Sequence, residues 1–257
     1  MISEEVTTLY KYYPPTEYSL AALRDRAFWC ASPKSFNDPF DCRLSLAEDA
    51  LDESIKYVVA RLQESPGVDP STLPPGAEKP TPADAEAFRW FRTQLLSLFD
   101  NVGIFCLSEV PDNLLMWAHY ADSHRGFCLG FRRAADNILG QAALPVTYSE
   151  DLPRLTAAHF DPLTNPHSAD ALWLTKSSSW SYEREWRVLA SKGNERRSLD
   201  APIISLRFGM RMATEYRRAV FDALSTYPSR VAFFQAEKSP TRFGIELRPA
   251  QDGTDGV

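Results

Sequence analysis

From Val102 onward the chain runs through short β-prone segments with little between them, and this spacing constrains the fold most. VGIFCLS, GFCLGF, LPVTYS, EWRVLAS, APIISLRFG, RVAFFQA and RFGIELR are short apolar runs, most of them with β-branched or aromatic residues. A parallel sheet needs a crossover of a dozen or more residues, usually a helix, between its strands. No regular strand–helix alternation of that kind is present, so the reading is α+β with mixed, mostly antiparallel sheets. TTLYKYY, residues 7–13, adds a first strand that Pro14 and Pro15 end. Helices are expected over 20–26, over PDNLLMWAHYAD, around 169–176 and over Ala213–Leu224.

Residues 45–100 read differently. Ser45 and Glu48 have capping-box spacing ahead of Leu51, Ile55, Val58, Val59 and Leu62. Thr81 and Pro82 open a second helix with Phe88, Phe91, Leu95 and Leu98 on one face. The proline-rich stretch 64–85 is a solvated loop between them, because a helical pattern begins at once on each side. The expectation is a two-helix insertion within a single domain covering 1–257, with a polar tail at 250–257 that frays.

Charge and cysteine usage narrow the function classes. The formal net charge of −6 argues against a general nucleic-acid coat, which needs clustered cations. The charge is uneven: Lys176 to Arg248 holds 14 basic and 8 acidic residues, the remainder 14 and 26. Either the later segment carries ordinary charged faces or it forms a basic wall for a phosphate-bearing ligand. Cys30, Cys42, Cys106 and Cys128 are never closer than 12 positions, which argues against a zinc ribbon, and four are too few for a disulfide scaffold. No apolar run spans a bilayer and MISEEVTTLY lacks the layout of a signal peptide, so a cytoplasmic location is expected and no membrane partner.

Three segments hold polar residues that periodicity does not require. SFNDPFD carries Asn37, Asp38 and Asp41; Asn and Asp before Pro start turns, while a carboxylate there also suits a sugar or a metal. LMWAHYADSHRG crowds Trp117, His119 and Tyr120 into four positions, a candidate pocket wall. His119 and His124 are five apart, which misses the spacing of a helical zinc pair. KSSSWSYEREWR carries Lys176, Trp180, Glu183, Glu185 and Arg187. As a strand it puts Glu183, Glu185 and Arg187 on one face, either as a surface ion-pair ladder or as carboxylates set against a developing positive charge. In the second case Arg187 holds Glu183 ionised.

The ordered set LYKY, FNDPFD, MWAHY running on to Gly126, and Lys176 with Trp180 and YEREWR resembles a widespread bacterial domain-of-unknown-function family. The match spans about residues 8–248. The family occurs in free-standing cytoplasmic proteins, some beside mobile or phage-defence genes, so the resemblance implies a defence or toxin setting. The order of features is also similar to the ADP-ribosyltransferase fold, whose split sheet binds NAD. That similarity implies that Glu185 and Glu183 are catalytic and that Tyr10, Lys11, Ser108, Trp117, His119, Tyr120 and Arg187 hold the dinucleotide. It implies cleavage of NAD at the nicotinamide–ribose bond and modification of an unknown acceptor, with no metal. The first strand departs from that pattern by offering Tyr-Lys-Tyr where an Arg or His is usual. Two other functions fit the same residues: a metal-dependent nuclease or hydrolase using Asp38, Asp41, His119 and the Glu pair, and a non-catalytic ligand-sensing module.

Overall fold

The computed structural model describes residues 6–43, 93, 97, 99–154, 170–225, 227, 228 and 230–250. The expected insertion over 45–100, its loop at 64–85 and the tail at 250–257 lie almost wholly outside the described residues. In chain order the first strands are β1 (Thr8–Tyr13), β2 (Ala27–Cys30), β3 (Gly103–Ser108), β4 (Phe127–Arg132), β5 (Ala143–Pro145) and β6 (Thr147–Ser149). They are followed by β7 (Thr175–Ser177), β8 (Glu185–Ala190), β9 (Glu195–Ser198), β10 (Ile203–Phe208), β11 (Ala232–Lys238) and β12 (Ile245–Pro249). The α-helices used below are α1 (Glu17–Asp25), α2 (Leu114–Tyr120), α3 (Ile138–Ala142), α4 (Asp170–Trp173) and α5 (Thr214–Ser225). Two 3-10 turns, Pro33–Ser35 and Ser178–Glu183, complete the elements that matter here.

Eight strands form one sheet in the order β12-β11-β10-β4-β1-β3-β8-β5, and β2-β9 and β6-β7 form two small ones. Pairing is antiparallel apart from β10 with β11 and β6 with β7, which makes the protein α+β with mixed, mostly antiparallel sheets. β4 sits near the middle and its run FCLGFR is buried on both faces, as a central strand requires. One face carries Leu9, Tyr13, Phe105, Phe127, Leu129 and Phe131 against Leu20 and Leu23 of α1, Val220 and Leu224 of α5 and Leu139 of α3. The other face carries Tyr12 and Cys128 against Met116 and Trp117 of α2. Each fully buried Leu or Phe adds about 1.5–3 kcal/mol to folding, so the two layers together hold the sheet.

The sheet is opened at one seam. β1 pairs with β4 from Thr8 to Tyr13, and β3 pairs with β8 from Gly103 to Ser108. Between β1 and β3 only Tyr10 and Ser108 are in register, and the strands part on either side of that pair. Side chains and a neighbouring segment take up the ladder groups exposed by the parting. Lys11 Nζ donates to the Cys106 carbonyl at 2.8 Å and the Tyr12 hydroxyl donates to the Val110 carbonyl at 2.6 Å. Further along the same edge of β3, beyond the end of β1, Ala31 exchanges both backbone hydrogen bonds with Ile104, at 3.0 and 2.8 Å. Buried backbone groups left without partners would each be costly, so these replacements are what allow the seam to stay open.

Three segments differ from their sequence reading. LPVTYS divides at Val146 into β5 and β6, which belong to different sheets. The polar run Glu195–Ser198 forms β9 against β2, although it lacks apolar alternation. Glu183 does not lie on a strand with Glu185 and Arg187: it ends the 3-10 turn, and Arg184 takes a left-handed backbone (φ 46°) before β8 begins.

Candidate functional site

The parting of β1 from β3 forms a cleft of about 360 Å³, within the range of small-ligand sites. Tyr10, Lys11 and Tyr12 line one side and Cys106, Leu107 and Ser108 the other. The loop after β2 adds Ser35, Phe36, Asn37 and Asp41, with half-exposed Trp29 at its edge. His119 and Tyr120 enter from the last turn of α2, and Lys176, Glu183 and Glu185 enter from the segment around β7 and β8. The start of α2 is fixed by Asn113, whose side chain accepts from the Leu115 and Met116 amides at 2.8 and 3.2 Å. The same residue donates to the Tyr182 carbonyl at 3.4 Å, tying the helix to the acidic segment.

The floor of the cleft is a buried ionic cluster. Lys176 Nζ lies 2.5 Å from Glu183 Oε2, 2.9 Å from Glu185 Oε2 and 3.4 Å from Asp41 Oδ2. Arg187, fully buried, donates from Nε to Glu185 Oε1 at 2.8 Å and from Nη2 to Glu185 Oε2 at 2.9 Å. Its Nη2 also reaches both Asp41 oxygens at 2.8 Å, and Nη1 donates to the Trp173 carbonyl at 2.6 Å and contacts Cys42 Sγ at 3.1 Å. Both oxygens of Glu185 are therefore bonded to cations. The Glu185 amide donates to the Tyr148 hydroxyl at 2.8 Å, which fixes the first residue of β8. Glu183 is held differently: Tyr120 donates its phenolic proton to Oε1 at 2.6 Å, and the Ser108 hydroxyl donates to the Glu183 carbonyl at 2.6 Å.

These surroundings push the two glutamates apart in acidity. Burial alone would raise Glu185, but Arg187 and then Lys176 outweigh it and hold the carboxyl at about 2. Burial raises Glu183 above its ordinary value and the Glu185 charge adds to this; Lys176 and Tyr120 only partly offset it. Burial opposes the charge of Lys176, yet Glu185, Glu183 and Asp41 together raise its pKa, so the ammonium persists. Burial and the Glu183 charge raise the Tyr120 phenol, keeping it a donor. Within the cluster, then, Glu185 is the more acidic and Glu183 the less acidic of the two glutamates. Burial also drives the Cys106 thiol well above its usual range, with Glu185 adding to the effect, so it is no thiolate nucleophile.

The candidate residues read from the sequence fall into three groups. Tyr10, Lys11, Ser108, His119, Tyr120, Asn37, Asp41, Lys176, Glu183 and Glu185 border one cleft. Trp180 adjoins it, 6.0 Å from the His119 ring and 5.2 Å from Lys176 Nζ. Three residues lie elsewhere. Trp117 has no exposed surface: its ring packs edge-on against Tyr12 at 5.3 Å and its indole N–H donates to the Pro111 carbonyl at 2.9 Å, so it belongs to the core. Arg187 lies beneath Glu185 with every nitrogen engaged and has no surface to offer a ligand; its carboxylates are Glu185 and Asp41, not Glu183. Asp38 is outside the cleft and accepts from the Phe40 amide at 2.9 Å, the turn-forming role open to Asp before Pro.

Sequence reasoning passed over Trp29, Phe36 and Tyr148. Trp29 is the exposed member of β2, between buried Phe28 and Cys30, and an outward Trp on a short edge strand was its available signal. Several cations of the basic segment are engaged in ion pairs, such as Arg184 with Glu109, Arg196 with Asp25 and Arg248 with Glu237. A metal site is disfavoured by charge, because an ammonium already sits among the three carboxylates. Among the described residues no group of three His, Cys, Asp or Glu is placed to hold a metal ion, and no helix is long and apolar enough to cross a membrane.

Fold and cleft together define an α+β protein with a buried ionic site at a seam in its main sheet. Residues 116–188, which run from the MWAHY motif through YEREWR, match the model of the family described as "Protein of unknown function (DUF2971)". This agrees with the resemblance to a domain-of-unknown-function family. No curated protein and no solved structure matches the chain.

Proposed function

We propose that the cleft acts as an ADP-ribosyltransferase-like site that breaks the nicotinamide–ribose bond of NAD and passes the ADP-ribosyl group to an acceptor. The observation that carries this reading is the pinned Glu185, whose carboxyl is held at about 2, at the floor of a seam in the sheet, beside aromatic walls from Tyr10, Trp29, Phe36 and Tyr120. Heterolysis of the ribose C1′–N bond sends the electron pair out with nicotinamide, which neutralises the ring charge and leaves an oxocarbenium-like ribose. With Asp41, Glu183 and Glu185 all ionised against Lys176 and Arg187, the cluster is net negative and stabilises that cation without reorganising. An acceptor lone pair then forms the new bond to C1′ and its proton passes to Glu183. Glu185 acts through its field in this scheme, since Arg187 and Lys176 hold its carboxyl at about 2, whereas that of Glu183 is raised.

The test is incubation with NAD, with and without cell extract, followed by chromatographic assay of free nicotinamide. Wild type releases nicotinamide; Glu185→Gln, checked for a native melting transition, does not. A well-folded wild type that shows neither nicotinamide release nor a thermal shift with millimolar NAD refutes the reading. A non-catalytic sensing module would instead bind NAD and leave it intact.

A further inference from the structure

Among the cations of the later segment, Arg207 is buried and has no ion pair among the described residues. It projects from β10 in the row Arg207–Cys128–Tyr12, so it shares the α2-covered face with the cleft residue Tyr12. Its guanidinium lies 4.5 Å from the centre of the Tyr10 ring and 5.1 Å from that of Phe234, and the residue is 7 % exposed. Nη1 donates to Ser205 Oγ at 2.9 Å, Nε is buried without a partner, and no described carboxylate pairs with the side chain. Burying a cation unpaired is costly. The two titratable side chains in its own row supply no charge: burial drives the Tyr12 phenol upward, and burial raises the Cys128 thiol to about 12.

The packing beneath is specific to this arrangement. A Cβ added to Gly130 would lie 2.3 Å from Ser205 Oγ, 3.0 Å from Tyr10 Cε1 and 3.1 Å from Arg207 Nη1. Glycine is therefore what lets the hydroxyl, the ring and the guanidinium converge over bare backbone. Register continues the row Ser205–Gly130–Tyr10–Ser108–Glu185 across the seam to the ionic floor of the cleft.

We infer that Arg207 and the Ser205 hydroxyl form an anion subsite beside the cleft that takes a phosphate group of its ligand. A guanidinium offers phosphate a planar fork of donors, and Ser205, whose oxygen accepts from Nη1, keeps its own proton to donate. Tyr10 joins the two regions, stacking on Arg207 and lining the cleft. The cation of the first strand, Lys11, also borders the cleft but is bonded to the Cys106 carbonyl. It does not require NAD as the substrate; any phosphate-bearing ligand of the cleft would use it.

The test is calorimetric titration and thermal shift with inorganic phosphate and with pyrophosphate, against chloride at equal ionic strength. Wild type is expected to bind pyrophosphate and to melt higher in its presence, with phosphate weaker. Arg207→Met fills the space beside the Tyr10 and Phe234 rings without a cation and loses the response. Ser205→Ala and Arg207→Lys bind about tenfold more weakly, the loss of one charge-assisted hydrogen bond; these two decide the matter if Arg207→Met does not fold. A wild type that responds no more to pyrophosphate than to chloride overturns the subsite, as does unchanged binding in the folded variants. Anion binding without nicotinamide release overturns the NAD reading alone. Nicotinamide release with an unchanged KM in the Arg207 variants overturns the subsite and leaves the NAD reading standing.

Discussion

Lys176→Met removes the ammonium on which Asp41, Glu183 and Glu185 converge at 3.4, 2.5 and 2.9 Å. Arg187 still serves Asp41 and Glu185, but Glu183 loses its cation and faces the Glu185 charge with only the Tyr120 hydroxyl in support. Met fills most of the lysine stem, so the change is chiefly electrostatic. Removing one partner of a buried pair costs about 3–5 kcal/mol, a large fraction of a stability that is typically about 5–15 kcal/mol.

The pH dependence gives this prediction its edge. In the wild type Glu185 is depressed to about 2, so its stabilisation is fully present above the ordinary carboxyl value and is lost as pH falls toward 2. Glu183 is raised, so its contribution is present below the ordinary value and fades as pH rises through the folded value. Without Lys176 both carboxyls move up, and a proton on Glu183 relieves the repulsion. Urea unfolding of both proteins at pH 8 and pH 5 should therefore show a gap that narrows at the lower pH. A gap below about 1 kcal/mol at pH 8, the range of an exposed pair, would refute the account of a buried cluster. So would a gap that stays constant or widens toward pH 5.

Tyr120→Phe deletes the 2.6 Å donor to Glu183 Oε1; the loss of a hydrogen bond to a charged group is worth about 1.5–3 kcal/mol. Glu183 should become still less acidic, so the acidic limb of a pH–rate profile shifts upward; an unmoved limb sinks the assignment of Glu183 as the proton-exchanging group. Trp29→Ala, at a side chain 49 % exposed, should leave stability within about 0.5 kcal/mol. It should weaken ligand binding roughly threefold to tenfold, the worth of one aromatic contact; full affinity would show that this wall touches no ligand.

Much of the sheet was legible because its strands are apolar runs: GIFCLS and FCLGFR can only be buried, and both are. β9 was not, since Glu195–Ser198 is held by backbone pairing to β2 and carries no apolar signal. The pairing of Glu183 with Glu185 shows how a right neighbourhood can be reached through a wrong geometry. Strand alternation put both on one face, whereas the chain turns through a left-handed Arg184 and brings Glu183 to Lys176 from a 3-10 turn. Arg184 gives no local hint of that conformation, which its ion pair with Glu109 and the Glu109 amide bond to its carbonyl at 3.1 Å help to hold. Trp117 misled for a related reason. On α2 it points to the sheet, while His119 and Tyr120, two and three positions on, point to the cleft, and counting aromatics in a window does not separate those faces.

The seam between β1 and β3 had no local signature at all, because a lost register is a property of two distant segments. Its cause can nevertheless be traced to single side chains. If β1 and β3 paired throughout, Lys11 would lie opposite Leu107 and Tyr12 opposite Cys106, and the cleft would be closed by backbone. Instead Lys11 and Tyr12 spend their polar ends on the Cys106 and Val110 carbonyls, while Ala31 takes the Ile104 pairing beyond the end of β1. Replacing a ladder of backbone bonds by side-chain bonds costs side-chain entropy and gains nothing for the fold itself. What it produces is room beside Glu185, which is kept charged from beneath by Arg187 and Lys176. An open seam and a buried anion each oppose stability when taken separately. Together they place a buried negative charge at the floor of a cleft, and the proposed function rests on that combination.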